Sequence, residues 1–509
     1  MKDNNRELLE ILFKNHLKFF DKEIILNLII HYGNKIPITN SELSTLINND
    51  KYKISTEMSE YYEHYNSSYY LLNACKSGNE AAVKFLLQHG ADLTIKDKDN
   101  RIALAWACES GNLHLVKYLV HLGADINYKN NYGMTPLFNA CNSGNLNLIK
   151  YLVEHGGDIN KEDTYGWTAL FFACEKGHIE VVKCLVELGT YINKRDNNGD
   201  TPLYTACKNG HIDIVKYLVE HGVNINKEDN NGVTPLYIAF EKGHIKVVKY
   251  LVELGADINK GNNDGWTPFL FACGKQPIKV VKYLVKHGAN INKEDNYGNT
   301  PLIIACLSEH IEVVKYLVEH GVDINKGNND GDTPLITACG MGHIEVVKYF
   351  VEHEADINKG NNDGVTSLII ACQEGHIEVI KYLVEHGADI NKEKDGGITP
   401  LYIACQNGYI EVVKYLMEHG TDINKEENNG ITPLFIACQN GHIEIVKYLV
   451  EHGADINKRN NDGWSPLLIV CFNGHIEIVK YLMEHGADIK DKDRVVDYLL
   501  IYTISKLTK

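Results

Sequence analysis

The spacing of the cysteines constrains the fold of this chain more than any other feature of its sequence. Twelve of the thirteen cysteines among the 509 residues recur at intervals of 33, or of twice 33 where Phe240 occupies the equivalent position. These twelve are Cys75, Cys108, Cys141, Cys174, Cys207, Cys273, Cys306, Cys339, Cys372, Cys405, Cys438 and Cys471. A fixed period without insertions indicates a repeat array, in which each unit buries its apolar face only against its neighbours.

This periodicity also predicts the state of the thiols and the location of the protein. Equivalent residues in stacked helical layers lie about 8–10 Å apart, whereas a disulfide needs Cα atoms within about 7 Å. We therefore expect free, buried thiols and a reducing compartment. The N-terminus lacks the continuous apolar core of a secretory signal, and no apolar run approaches the roughly 20 residues that cross a bilayer. We expect an intracellular, cytoplasmic protein without membrane insertion.

One repeat, residues 199–231, illustrates how each unit folds. Thr201 stands where its side chain can cap a first helix, and Gly210 stands where that short helix ends. His211 opens a second helix whose apolar residues recur at helical spacing, and Gly222 follows its last turn. The Asn- and Gly-rich stretch that comes next predicts a tight turn projecting from the stack.

The same motif recurs along the chain and resembles the ankyrin repeat. One copy reads Gly232-Val233-Thr234-Pro235-Leu236, followed by Ala239 and Gly243-His244. Nine of the eleven prolines hold the same place in the motif, namely Pro136, Pro202, Pro235, Pro268, Pro301, Pro334, Pro400, Pro433 and Pro466. The resemblance covers about five-sixths of the chain.

The resemblance implies both a fold and a function. The fold is all-α, an ankyrin-repeat solenoid of stacked helix-turn-helix units with projecting β-turn hairpins. The function is that of a non-enzymatic protein-protein interaction scaffold, which binds its partner on a concave face formed by the turn tips and the exposed side of each first helix. The family usually has His directly after Thr-Pro-Leu, where it ties neighbouring repeats together. Phe138, Tyr204 and Ile303 are among the residues here, so we expect apolar packing between layers instead.

The two ends of the chain differ from its middle, because terminal units of a solenoid need a polar outer face. We expect an N-terminal helical cap or recruiting region in residues 1–66, thirteen repeats in residues 67–495 and a C-terminal capping half-repeat in residues 496–509. An alternative function is that of an adaptor, in which an F-box-like or similar element in residues 1–66 recruits an enzyme. A third is a spacer without a specific partner, which the similarity of the units favours.

Charge and motif content exclude several classes of function. The chain has 51 Lys and Arg against 67 Asp and Glu, a net charge of −16, so it repels phosphate backbones and we expect no nucleic-acid partner. It contains no phosphate-binding glycine loop, nucleophile elbow, kinase motif set or paired His-Glu zinc motif. We expect no enzyme activity and no cofactor, and a monomer whose partner is another protein.

Two series of histidines repeat in step with the cysteines. Pairs such as Cys207 and His211 have the spacing of zinc ligands, but a structural zinc needs four converging ligands and each repeat offers two. We predict no metal site. The second series, which includes His155, precedes the Gly that follows each second helix, where an imidazole can cap unpaired carbonyls. Glu354 holds that Gly position in one repeat, which predicts a left-handed backbone there.

The candidate binding residues are those that vary between near-identical repeats, because packing constrains the others. The residue before Thr-Pro-Leu and the neighbouring turn tips carry three of the four tryptophans, and aromatic side chains on a rigid frame are typical binding anchors. The candidates are Tyr132, Met134, Tyr165, Trp167, Trp266, Tyr297 and Trp464. We expect the first four, which belong to two successive repeats, to form one apolar patch on the concave face, and we name it the turn-tip patch.

Overall fold

The computed structural model describes residues 70–88 and 90–488 of the chain. Residues 70–76 are helical, and from residue 103 onward a first helix of seven or eight residues alternates with a second helix of nine. In chain order the helices with defined bounds are α1 (Glu80–Gln88), α2 (Ala103–Ser110), α3 (Leu113–His121), α4 (Pro136–Ser143), α5 (Leu146–Glu154), α6 (Ala169–Lys176), α7 (Ile179–Glu187), α8 (Pro202–Asn209), α9 (Ile212–Glu220), α10 (Pro235–Glu241), α11 (Ile245–Glu253), α12 (Pro268–Lys275), α13 (Ile278–Lys286), α14 (Pro301–Leu307), α15 (Ile311–Glu319), α16 (Pro334–Gly340), α17 (Ile344–Glu352), α18 (Ser367–Glu374), α19 (Ile377–Glu385), α20 (Pro400–Asn407), α21 (Ile410–Glu418), α22 (Pro433–Asn440), α23 (Ile443–Glu451), α24 (Pro466–Asn473) and α25 (Ile476–Glu484).

The ends of these helices are set by the residues that the sequence predicts. Before α8, the Thr201 hydroxyl accepts a hydrogen bond from the Tyr204 amide at 3.1 Å. Gly210 ends α8 with a left-handed φ of 77°, His211 directly precedes α9, and Gly222 follows that helix with a φ of 79°. These predictions are confirmed, and each cap satisfies backbone groups that a short helix leaves unpaired.

The chain divides into two compact units, Met1–Asp257 and Ile258–Lys509. Within each unit, first helices pack against the first helices of neighbouring repeats, as α8 does on α10 and α16 on α18. Each first helix also packs against the second helix of its own repeat. The core is therefore a continuous row of apolar side chains inside each unit, as expected of a solenoid.

The cysteines lie in this core. All thirteen are buried and none is in a disulfide; the burial of the twelve periodic cysteines agrees with the prediction from their spacing. Burial raises the pKa of the Cys75 thiol to about 12 and raises the pKa of Cys108 and Cys207 further, again through desolvation. Thiols with such pKa values stay protonated near neutral pH, so these side chains act as small apolar groups and not as nucleophiles or metal ligands.

The turns between repeats are joined to one another by backbone and side-chain hydrogen bonds. In one turn the Asp229 carboxylate accepts from the Val233 amide at 2.7 Å, which closes the loop. The Asn230 amide donates to the Asn198 carbonyl of the preceding turn at 2.9 Å, and the Asn230 side chain donates to the Asn197 carbonyl at 3.0 Å. Within the described residues, strand pairing is limited to isolated antiparallel bridges at two turns.

A histidine at the start of the second helix makes a polar contact between layers, at a position that the sequence analysis did not predict. His211 Nε2 lies 3.0 Å from the Glu175 carbonyl of the preceding repeat, and because a carbonyl only accepts, the imidazole is the donor. The same contact, to a carbonyl 36 residues earlier, recurs at His244, His376, His442 and His475. Phe138, Tyr204 and Ile303, at the position after Thr-Pro-Leu, are buried, as expected of apolar packing between layers. The histidine at the start of the second helix adds a polar contact between layers that the sequence analysis did not predict.

Some repeats depart from this framework. Glu354 has a φ of 63°, which confirms the predicted left-handed backbone, and Glu309 takes the same conformation with a φ of 56°. In the repeat before that of Glu309, Gln276 follows α12 with an extended backbone, and Pro277 precedes α13. The second unit thus contains neighbouring repeats in which the usual Gly-His joint is altered.

Candidate functional site

The predicted turn-tip tyrosines are exposed. Tyr132, Tyr165 and Tyr297 expose 47%, 61% and 64% of their surface. The Tyr132 carbonyl accepts from the Thr164 amide at 2.9 Å, so Tyr132 and Tyr165 lie in adjacent, hydrogen-bonded turns. The structure therefore places these two aromatic rings in neighbouring layers of the first unit.

The tryptophans of the candidate set are half-buried. The Trp167 ring stacks on Phe171, with centroids 5.8 Å apart and planes at 21°. Its Nε1–H donates to Asp196 Oδ2 in the following turn at 2.9 Å, so Trp167 also joins two turns. In the second unit, Trp464 packs edge-on against Phe472 with centroids 5.6 Å apart.

Met134 and Trp266 are anchored through their backbones. Both are half-buried. The Met134 amide donates to Asn130 Oδ1 at 2.9 Å, and the Trp266 amide donates to Asn262 Oδ1 at 2.9 Å. A polar residue four positions earlier thus fixes the backbone at both candidate positions.

A groove in the second unit was not predicted. It encloses about 520 Å³ between the turns and first helices of three successive repeats, and we name it the second-unit groove. Its apolar lining comes from Ile303, Leu307, Ile336, Met341, Val365 and Ile370. Leu307 and Met341 expose 43% and 48% of their surface, so these apolar side chains are accessible to solvent inside the recess.

The sequence carried a signal for this groove. Leu307 follows Thr300 by seven residues and Met341 follows Thr333 by eight, whereas the equivalent positions after Thr201 are Lys208 and Asn209. Apolar residues at positions that are otherwise polar mark the exposed side of the first helix. Phe472, with 62% of its surface exposed, follows the same rule.

A glycine opens the floor of the groove. Gly340 ends α16, and a Cβ atom at this position would lie 3.1 Å from Ile370 Cγ1 on α18. A longer side chain would project into the space between the first helices or push Ile370 aside. The absence of a side chain here therefore helps to keep the recess open.

Amide and carboxylate groups form the rim of the groove. Asn328 Nδ2 donates to Asn299 Oδ1 at 3.1 Å, and Asn361 Nδ2 donates to Asp332 Oδ1 at 2.7 Å. These bonds join residues of adjacent turns and hold the rim in place. A second depression, of about 530 Å³, adjoins the groove, because Gln373 and Glu374 line both. Lys394 also lines this second depression.

In the first unit, a carboxyl group with a raised pKa lies near the turns. The pKa of the Asp200 carboxyl is raised to about 6, first by burial and then by the nearby Asp196 and Asp229. Lys208 and Arg195 offset part of this effect. Asp200 is the residue before Thr-Pro-Leu in its repeat, so a carboxylate with a raised pKa lies in the same column as the candidate aromatics.

The second histidine series caps helices, as predicted. His155 Nδ1 donates to the Tyr151 carbonyl at 2.8 Å, and its ring lies 4.0 Å from the Tyr151 ring. His221 makes the same contact with Tyr217. In the described part of the chain, no three His, Cys, Asp or Glu side chains come together in a way that could hold a metal ion.

Fold and surface together define an all-α solenoid of helix-turn-helix repeats with projecting turns. A family model described as "Ankyrin repeats (3 copies)" matches residues 2–130, 122–196, 188–262, 259–328, 321–394, 360–427 and 401–493. The chain belongs to the ankyrin repeat family. Repeats of this family are general protein-protein interaction modules and are typically non-catalytic.

Two further findings concern the chain as a whole. A comparison with curated proteins found no match. Among the helices that the structure describes, none combines the length and the apolar character needed to cross a membrane.

Proposed function

We propose that this protein is a non-enzymatic scaffold that binds another protein on the concave face of its repeats. The family membership supports the general role, because ankyrin repeats are interaction modules. A monomeric state and a cytoplasmic location belong to the same proposal. The thirteen free, buried cysteines support a reducing compartment, in which disulfides rarely form.

The observation that carries the proposal is the exposure of Leu307 and Met341 inside the second-unit groove. Removing apolar surface from water contributes about 25 cal/mol per Å², so a partner side chain that covers both residues gains affinity. A recess with an apolar floor and a hydrogen-bonded rim has the anatomy of a protein interface, in which a dry centre is surrounded by polar groups.

The turn-tip aromatics extend the proposed surface. Tyr297 is exposed and lies two residues before Asn299, which lines the groove. Its carbonyl accepts from the Asn329 amide of the next turn at 3.0 Å, so its backbone is fixed while its ring faces water. A rigid, exposed tyrosine beside an apolar recess is a suitable anchor for a partner.

The test is affinity capture with the full chain, with captured proteins quantified by mass spectrometry. Leu307→Gln combined with Met341→Gln should reduce capture of the principal partner about tenfold, because the apolar contact is lost. The matched control is Leu254→Gln, since Leu254 lies in the first unit and is exposed to 45%. It should leave capture unchanged.

Two outcomes would contradict the proposal. Equal capture by the double variant and the wild-type chain would exclude the groove as the binding site. Capture that depends on residues 1–66 and is insensitive to both sets of substitutions would instead support the adaptor function.

A further inference from the structure

We propose that the second-unit groove binds a basic, amphipathic segment of a partner protein, in which Lys or Arg side chains flank an apolar anchor. This inference rests on the proposed function and adds the chemistry of the partner. It depends on three observations: the charge of the groove, the state of its carboxylates and the contrast with the first unit.

The charge of the groove has one sign. Its lining includes the carboxylates of Asp332 and Glu374 and contains no Lys or Arg. The remaining polar lining consists of amides and one hydroxyl. A partner that enters the groove therefore meets both apolar side chains and carboxylates.

Neither carboxylate forms an ion pair with a Lys, Arg or His side chain within the described residues. Asp332 accepts from the neutral Asn361 amide at 2.7 Å, and Glu374 accepts from the neutral Gln373 amide at 3.1 Å. An amide satisfies a hydrogen bond without supplying positive charge. None of the ion pairs in the described part of the chain includes either carboxylate.

Two first helices of the first unit, α6 and α10, show a different arrangement. Lys176 pairs with Glu175 at 3.3 Å, and Lys242 pairs with Glu241 at 3.1 Å. In those repeats the position equivalent to Met341 holds a cation whose acidic partner is the preceding residue. The unpaired negative charge of the second-unit groove is thus not a general property of the repeat.

Charge complementarity selects the occupant. Lys or Arg side chains of the partner would pair with Asp332 and Glu374, which speeds association and disfavours acidic segments. The apolar anchor between them would cover Leu307 and Met341 and supply most of the affinity. Nucleic acid is disfavoured at the same site, because its phosphates would face these carboxylates.

The experiment selects peptides from a random displayed library on the immobilised full chain. Peptides that the wild-type chain retains are tested on the variant with Leu307→Gln and Met341→Gln and on the control variant Leu254→Gln. Those lost only on the double variant bind the groove. We expect these groove-dependent peptides to have a positive net charge and at least one large apolar residue.

Variants of Glu374 then measure how much electrostatic attraction contributes to peptide binding. Glu374→Lys should weaken binding of groove-dependent peptides about tenfold and Glu374→Gln about threefold, with smaller losses at high salt because exposed charges are screened. Glu374 is exposed at the end of α18, so the thermal midpoint of each variant should match that of the wild-type chain.

The outcomes separate this inference from the proposed function. Groove-dependent peptides that are neutral or acidic, or that bind Glu374→Lys as well as wild type, would overturn the inference and leave the groove as a binding site. Peptides that bind the double variant and wild type equally, or the absence of any retained peptide, would overturn both.

Discussion

The turn-tip patch of the first unit and the groove of the second unit expose apolar surface in different ways. In the patch, Tyr132 and Tyr165 are exposed on turn tips, while the Trp167 indole is held by Phe171 and Asp196. In the groove, aliphatic side chains lie exposed in a recess. The comparison teaches that aromatic residues at equivalent positions of a repeat array can have two roles. Trp167 joins neighbouring turns, whereas Tyr132 and Tyr165 are exposed to solvent.

The largest expected effect tests the role of Trp167. If the turn-tip patch is a binding hot spot, Trp167→Ala should weaken capture of the principal partner by roughly 2 kcal/mol or more. Trp167→Phe retains an aromatic ring against Phe171 but removes the hydrogen bond to Asp196. It should therefore bind nearly as well as wild type while losing some thermal stability.

Trp464→Ala is the matched control, because Trp464 occupies the same position of its repeat. The measurement is an equilibrium binding titration together with a thermal melt. Normal binding by Trp167→Ala, or an equal fall in melting temperature for both alanine variants without loss of binding, would mean that these tryptophans serve only to pack the turns.

Much of the fold follows from the sequence, because it depends on neighbours in the chain. Thr201, Gly210 and Gly222 act within one turn of helix, so their residue types predict the caps. His211 contacts a carbonyl 36 residues earlier, and no local rule identifies a donor and acceptor in different layers. The groove escaped prediction for a similar reason, since its recess exists only where three repeats meet and a glycine lies between them.

The second prediction concerns the backbone of the second unit. Glu354 holds a left-handed φ of 63°, which costs a residue with a Cβ atom roughly 1–2 kcal/mol. Glu354→Gly should therefore raise the free energy of unfolding by about 1 kcal/mol, measured by urea denaturation.

The reverse change at a matched position provides the control. Gly321 has a φ of 79°, and a Cβ atom there would meet no other atom within 4 Å. Gly321→Ala should thus destabilise the protein through backbone strain alone. An unchanged or lower denaturation midpoint for Glu354→Gly would show that the strain at this helix end is compensated.

The third prediction concerns the pH dependence of stability that Asp200 gives to the first unit. The pKa of Asp200 is raised in the folded protein to about 6 from 3.8, so the folded state favours the protonated form. Stability should decrease as the pH rises from about 4 to about 6, where the carboxyl ionises in the folded state. Because the side chain keeps partial contact with water, we expect Asp200→Asn to stabilise the protein by only about 1 kcal/mol above pH 6.

Denaturant unfolding at a series of pH values checks this expectation. Well below the ordinary pKa of 3.8, the carboxyl is protonated in both the folded and the unfolded state. The asparagine variant should then match wild type. A gain in stability that is the same at every pH would show that removing the ionisable group is not its cause.

The smallest effect compares two histidines at the same position of their repeats. His211 donates to the Glu175 carbonyl at 3.0 Å, whereas His343 Nε2 is buried without a hydrogen-bond partner among the described residues. Removing the first contact leaves a carbonyl unsatisfied and should cost about 1 kcal/mol. Removing an imidazole nitrogen that is already unsatisfied should cost little, because its desolvation penalty disappears with it.

We therefore expect His211→Phe to speed hydrogen exchange in α9 and His343→Phe to leave exchange in α17 nearly unchanged. Amide exchange read by mass spectrometry suits a repeat array, because repeats open locally before the whole chain unfolds. His343 Nδ1 lies 3.6 Å from Glu309 Oε2, so faster exchange in α17 of His343→Phe would identify that pair as the interlayer contact. Equal acceleration in both variants would show that the two histidines contribute equally to the contact between layers, although His211 donates to a carbonyl and His343 Nε2 has no partner among the described residues.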